Sequence, residues 1–121
     1  MDIEATKNYC RSLAGASEKV FAAPANIHVF YVGDKQFAWF KTSQPEQGRL
    51  SIRSAAERFL ELTDQEGIKP ARYMQRFHWI SISDLTSKES GFIRMLIDES
   101  YQKAFSNLTK KTQKNIKPVN S

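Results

Sequence analysis

Ile27-His28-Val29-Phe30-Tyr31-Val32-Gly33-Asp34-Lys35-Gln36-Phe37-Ala38-Trp39-Phe40-Lys41 is the stretch that decides the fold. Its two arms, Ile27 to Val32 and Gln36 to Lys41, are rich in β-branched and aromatic residues, and Gly33-Asp34-Lys35 separates them. Residues of that kind fit a pleated, half-buried surface, and a Gly-Asp pair suits a tight reversal, so the stretch predicts a β-hairpin with Lys35 near its tip.

Downstream, Thr42 to Gly48 reads as a polar loop and Arg49 to Arg53 as a third strand. In that strand Leu50 and Ile52 alternate with Arg49, Ser51 and Arg53, which gives one apolar and one cationic face. Ser54-Ala55-Ala56-Glu57 has the spacing of a capping box. It predicts a helix to about Thr63, with Phe59, Leu60 and Thr63 turned to the core and Glu57, Arg58 and Glu61 to water. Ile68 to Met74 reads as an ordered loop. Gln75 to Ser83 reads as a strand with His78, Ile80 and Ile82 on one face and Phe77, Trp79 and Ser81 on the other. Thr86-Ser87-Lys88-Glu89 is a second capping box, and the helix it opens carries Phe92, Ile93, Leu96, Ile97, Tyr101, Ala104, Phe105 and Leu108 as a broad apolar stripe.

Upstream, Ile3, Thr6, Cys10 and Leu13 recur three to four residues apart, with Asp2 placed to cap and Gly15 to stop, so Asp2 to Ala14 reads as a helix. A short extended piece, Glu18 to Phe21, and a turn at Pro24-Ala25-Asn26 lead into the hairpin. The order helix, strands, helix, strand, helix indicates an α+β domain, an antiparallel sheet with helices packed on one face. The domain is expected to span residues 1–109. The last twelve residues, 110–121, contain little apolar content and are expected to form a disordered basic tail.

With 121 residues, 40% of them apolar, the chain suits one domain that buries roughly two-thirds of its unfolded surface. One cysteine, Cys10, forms no internal disulfide, and with two histidines it fills no Cys- or His-rich zinc site. Cys10 lies on the apolar stripe of the first helix, where a small buried side chain is the natural reading. A reducing, cytoplasmic setting is expected. Charged residues interrupt Met1 to Val20, so no signal peptide is read there, and no segment has the apolar length of a membrane span.

No G-x-S-x-G turn and no phosphate-binding glycine loop occurs. Glu57 with Glu61, and Asp98 with Glu99, read as solvated helix faces rather than catalytic pairs. No enzyme, cofactor or metal site is expected. His78-Trp79 has two readings. In one, the rings pack under a helix and over a sheet edge. In the other, one ring joins Arg72 and Arg76 in a surface for phosphates or bases.

Tyr9-Cys10-x-x-Leu13-x-Gly15, the hairpin Val29 to Ala38, Leu50-Ser51-Ile52-Arg53, Pro70-x-x-Tyr73-Met74-x-x-x-His78-Trp79 and Ile97-Asp98-x-Ser100-Tyr101 together resemble the MmcQ/YjbR family of small bacterial proteins, over about residues 5 to 111. The resemblance implies a CyaY-like fold, which in this family has also been described as a "double wing" DNA-binding motif. Lys35 then takes one wing tip, and Arg72, Arg76, His78 and Trp79 match the family's Pro-x-x-Tyr-Met to His-Trp segment. The chain departs from the family at Leu13-Ala14-Gly15, where relatives often have Leu-Pro-Gly. Frataxin shares the fold family and suggests iron, but the acidic ridge such proteins present is reduced here to Asp2 and Glu4 ahead of Lys7 and Arg11.

The leading expectation is a DNA-binding module that neutralises phosphates through Lys35, Lys41, Arg49, Arg53, Arg72 and Arg76, with His78 and Trp79 alongside. The alternative is a protein-interaction domain using Phe37, Trp39, Phe40 or Trp79 on an open sheet. A small-molecule site under the sheet is a third reading. A monomer is expected. The formal charge of +5 favours none of these by itself, because Lys110, Lys111, Lys114 and Lys117 supply four of the five charges and residues 1–109 are nearly neutral. The distribution of cations over residues 35 to 76 is what matters.

Overall fold

A computed structural model describes the chain except for residues 73, 75, 76 and 118–121. Helix α1 (Ile3–Ser12) is followed by strands β1 (Ala16–Phe21), β2 (Ile27–Val32), β3 (Lys35–Lys41) and β4 (Leu50–Arg53). Then come the short helix α2 (Phe59–Thr63), strands β5 (Ile68–Pro70) and β6 (Trp79–Ile82), and helices α3 (Ser90–Ser106) and α4 (Lys110–Ile116). The six strands form one sheet in the order β1-β2-β3-β4-β6-β5, with every neighbouring pair antiparallel. The expected α+β architecture is what forms.

The hairpin closes as expected. Val32 faces Lys35 across a two-residue turn, and Gly33 adopts a φ of +59°. Left-handed backbone at the first turn position is what glycine supplies in hairpin turns. Space is also tight there, since a Cβ on Gly33 would lie 2.8 Å from the end of the Leu108 side chain, which would have to shift.

Register assigns the two faces. Phe30, Ala38 and Ile52 lie in one cross-strand row with Ile80, and Phe40, Leu50, Ile82 and Ile68 form the next. All are buried in the main core, where α1 adds Cys10 and α3 adds Ile93, Leu96, Ile97, Tyr101 and Ala104. Between Phe30 and Tyr31 the ladder slips by one residue, so Phe37 becomes the extra residue of a bulge on β3. That slip turns both Phe37 and Ala38 into the core. At full burial each such aromatic side chain is worth roughly 2 to 3 kcal/mol of transfer free energy.

Several local expectations are corrected. Ser54 caps no helix: its N–H and hydroxyl donate to the His78 carbonyl at 2.8 and 3.0 Å, tying β4 to the approach to β6. A 3-10 turn over Ala56–Arg58 precedes α2, and Leu62 is the buried residue of that helix, while Leu60 is 80% exposed. The capping-box spacing is present, but a tertiary carbonyl competes for the hydroxyl and wins. Thr86 likewise opens no helix: Asp84 caps a 3-10 turn over Leu85–Ser87, accepting from the Thr86 N–H and hydroxyl. Ile68–Pro70, read as loop, is strand β5 on β6, and β6 is Trp79–Ile82 with Phe77 and His78 outside it; the expected strand start at residues 75 and 76 lies outside the described residues. His78 takes a φ of +66°, which breaks the alternation that the sequence suggested.

The tail is also different from its expectation. Lys110–Ile116 is helical, with Thr109 as N-cap accepting from Thr112 N–H. The Gln113 amide donates to the carbonyls of Phe105 and Leu108, and Ile116 packs on the core beside Gly15. The ammonium of Lys117 lies 4.6 Å from the Tyr101 ring centre and 4.9 Å from that of Phe105. Low apolar content does not prevent ordering when one isoleucine and one glutamine are placed to dock. Among the described residues no helix is long and apolar enough to cross a membrane.

Candidate nucleic-acid interface

The face of the sheet turned away from the helices carries the alternate strand residues. One row across it reads Lys19, Val29, Trp39, Ser51, Ser81 and Lys69, since each of these residues pairs with the next. Flanking rows place Phe21, Ile27 and Lys41 on one side, and Tyr31 with Gln36, and Arg53 with Trp79, on the other. No strand position on this face is acidic: Glu18, the one carboxylate in the described strands, belongs to the helix side.

The face is neither flat nor uniformly open. Lys19 and Lys69 are exposed, Phe21, Tyr31, Trp39, Lys41 and Arg53 are half-buried, and Val29, Ser51 and Ser81 are buried among them. The hydroxyls of Ser51 and Ser81 pair at 3.0 Å, which satisfies two polar groups in the middle of the face. Arg49, at the entry to β4, stacks its guanidinium 5.8 Å from the Trp39 ring and meets Glu46 at 3.2 Å. The serine floor and the Trp39-Arg49 stack leave aromatic and cationic groups side by side.

Of the residues expected from sequence, Lys41 and Arg53 lie on this face, Arg49 borders it, and Lys35 stands exposed at the hairpin end. Arg53, Lys35 and Trp79 line one small cavity of about 260 Å³ together with Asp34, Gln36 and Ser100. Arg72 is exposed in the turn after β5. Arg76 lies outside the described residues. His78 is half-buried, and its ring meets the Phe59 ring edge-on at 5.4 Å, so it packs under α2. Trp79 is 6% exposed and offers no open aromatic plane. The same burial removes Phe37 and Phe40, each 0% exposed, from the expected protein-binding aromatics and leaves Trp39.

Sequence reading passed over Lys19, Tyr31 and Lys69. For the first two the signal was in the alternation: odd-numbered residues share one face through β1 and β2. Lys69 had no such signal, because a three-residue strand is too short to show a period.

A larger cleft of about 930 Å³ lies on the helix side, between α3 and the turn before α2. It carries Glu57, Asp98 and Glu99 against Arg58, Arg94 and Lys103, so its charges balance. Most are already engaged: Tyr9 donates to Asp98 at 2.6 Å, Arg58 pairs with Glu99 and Glu61, and Arg94 lies over the Tyr9 ring. Burial, and then the bond to Asp98, push the Tyr9 phenol up to about 12, so it stays a donor. A balanced, internally paired cleft offers a polyanion nothing.

Among the described residues no three His, Cys, Asp or Glu side chains converge as a metal site. Burial pushes the Cys10 thiol up to about 12, the opposite of what a nucleophile needs.

Against known proteins, the model of the YjbR family matches residues 11–103. The chain belongs to the YjbR family. Solved structures share its fold. A Deinococcus radiodurans protein, DR2400, described as carrying the DUF419 domain, is similar with a TM-score of 0.81 at 21% identity, over 95% of this chain and 87% of that one. A Pseudomonas syringae protein is similar with a TM-score of 0.69 at 20% identity, over 86% of this chain and 99% of that one. No curated protein matches significantly. For this family member the structural likeness establishes the fold. The interface is argued from its own side chains.

Proposed function

We propose that this YjbR-family protein is a DNA-binding module that uses the helix-free face of its sheet and carries out no catalysis. Lys35, Lys41, Arg49 and Arg53 neutralise phosphates, Lys19 and Lys69 extend the cationic surface at its margins, and Arg72 adds a contact from the turn beside β5. Trp39 and Tyr31 supply aromatic surface between the cations. The observation that carries this reading is the absence of any carboxylate from the strand positions of a face that holds four lysine and arginine positions, Lys19, Lys41, Arg53 and Lys69. A face bearing only one sign of charge holds a polyanion without compensating repulsion.

Arg49 shares its charge with Glu46, so it contributes less than a free cation; phosphate binding and the Glu46 pair compete. The Trp39 stack keeps its guanidinium on the face in either case. Fluorescence-anisotropy titration of a labelled DNA across a range of salt tests the reading. Four to six phosphate contacts give a slope of log affinity against log salt of roughly −4 to −5. An absence of salt-sensitive binding at low ionic strength contradicts it.

A further inference from the structure

Arg11, Arg49 and Arg58 each meet a carboxylate. The Arg53 guanidinium meets none among the described residues, although Arg53 is half-buried and its Nε is closed off from solvent with no acceptor. Its cross-strand partner Trp79 is 6% exposed. Both side chains line the same cavity of about 260 Å³. A buried donor without an acceptor costs about 1 to 3 kcal/mol, more where the group is charged, so the Arg53 Nε calls for an acceptor in the cavity that its side chain lines.

The cavity exists because β3 and β4 part there. Their pairing stops at Ala38 and Ile52, and the bulge at Phe37 carries β3 away. Ser100 of α3 spans the opening, donating to the Phe37 carbonyl and accepting from the Arg53 N–H. Its hydroxyl proton is therefore committed. Lys35 and Asn107 stand at the rim as further donors, and Asp34 is the one carboxylate in the lining. The lining thus holds two cations and the Trp79 indole against a single acid. Its volume lies below the range of about 300 to 1,000 Å³ typical of drug-sized ligand pockets, so it suits a small ligand or one group of a larger one.

We infer that the notch between β3 and β4 is a binding site for a phosphate group, held by the Arg53 guanidinium and the Trp79 indole N–H, with Lys35 closing it from the hairpin end. The geometry of the donors suits an oxyanion, since an arginine fork and one further N–H address separate oxygens. The site shares Lys35 and Arg53 with the surface proposed for DNA but does not rest on that reading, since it holds a phosphate whether or not a strand crosses the sheet.

The test is a titration of the full chain with inorganic phosphate, followed by the indole N–H resonances in nitrogen-proton correlation spectra. The Trp79 resonance is identified by its loss in Trp79→Phe. It is expected to move saturably, while the Trp39 resonance stays. Lys35→Met, at an exposed position, is expected to weaken the binding at least about tenfold, and Arg53→Met at least as much, whereas Lys103→Met, on the helix side, leaves it unchanged. A Trp79 resonance that does not move, or equal loss in Lys103→Met, overturns the site. If Arg53→Met fails to fold, Lys35→Met alone decides. Oligonucleotides with a 5′-phosphate or a 5′-hydroxyl then identify the source. Tighter binding of the phosphorylated strand, lost in Lys35→Met, assigns a strand end. Equal binding of both, with the inorganic phosphate response intact, assigns a free phosphate compound.

Discussion

The Ser100 hydroxyl donates to the carbonyl of Phe37 at 2.6 Å, across 63 residues of sequence, and accepts the Arg53 N–H at 3.0 Å. A helix side chain thereby replaces the ladder hydrogen bond that β3 and β4 no longer make. The bulge that turns Phe37 into the core opens the sheet, and Ser100 satisfies the two backbone groups left facing the gap.

Ser100→Ala is therefore expected to cost about 2 to 4 kcal/mol, since it leaves a buried carbonyl and an N–H without partners while removing no apolar contact. Urea denaturation measures it. Ser100→Thr, which keeps the hydroxyl, recovers part of the loss if its methyl is accommodated. A cost below about 0.5 kcal/mol for the alanine variant shows that water substitutes for the hydroxyl.

The alkaline limb of stability is predicted from Cys10. Burial raises its folded-state value to about 12 from the ordinary 9.0. A group raised in the folded state contributes fully below its unfolded value, and that contribution declines as pH rises between 9.0 and about 12. Cys10→Ala is expected to flatten this limb, and a thiol reagent is expected to label the native protein only as fast as it opens. Fast labelling at neutral pH contradicts the burial argument.

The acid limb involves Glu18, held below the usual carboxylate range first by Arg11, which it meets at 2.7 and 2.9 Å, and then by the bond to His28. A lowered value contributes stability above the unfolded value and loses it as pH falls through the folded one. The pair is largely exposed, so the effect is small and salt-sensitive. Melting temperatures from pH 6 to pH 3 in low and high salt are expected to converge in Glu18→Gln and to differ in the native chain.

What was legible in the sequence follows from how local each signal was. The hairpin carried its own turn chemistry at Gly33 and its own alternation, so it emerged whole, and so did the apolar stripe of α3. Ser54 and Thr86 misled because a capping box states what a side chain can bind, not what competes for it: His78 offers a carbonyl to Ser54, and Asp84 takes Thr86. α4 was illegible because its order comes from Gln113 and Ile116 docking on partners brought close only by the fold. Of the candidate site, Arg53 and Lys41 were readable from alternation in β3 and β4. Burial of Trp79 was not, since it depends on the approach to β6 through His78 at positive φ.

That docked helix sets a prediction of its own. Lys110, Lys111 and Lys114 lie on α4, whose contacts are with α3 and the Gly15 corner rather than with the open face. Replacing all three by Gln is expected to lower DNA affinity uniformly, with more than half of the salt slope retained. Loss of all binding in this variant transfers the function to the tail.

The claim that the open sheet face is the interface is tested most directly by the salt slope of DNA affinity in matched variants. Lys41→Gln and Lys69→Gln, each on that face, are predicted to reduce the slope by about 0.9 apiece, while Lys103→Gln, on the helix side, leaves it unchanged. Unaltered slopes in the first two variants, or a reduced slope in the third, contradict the account.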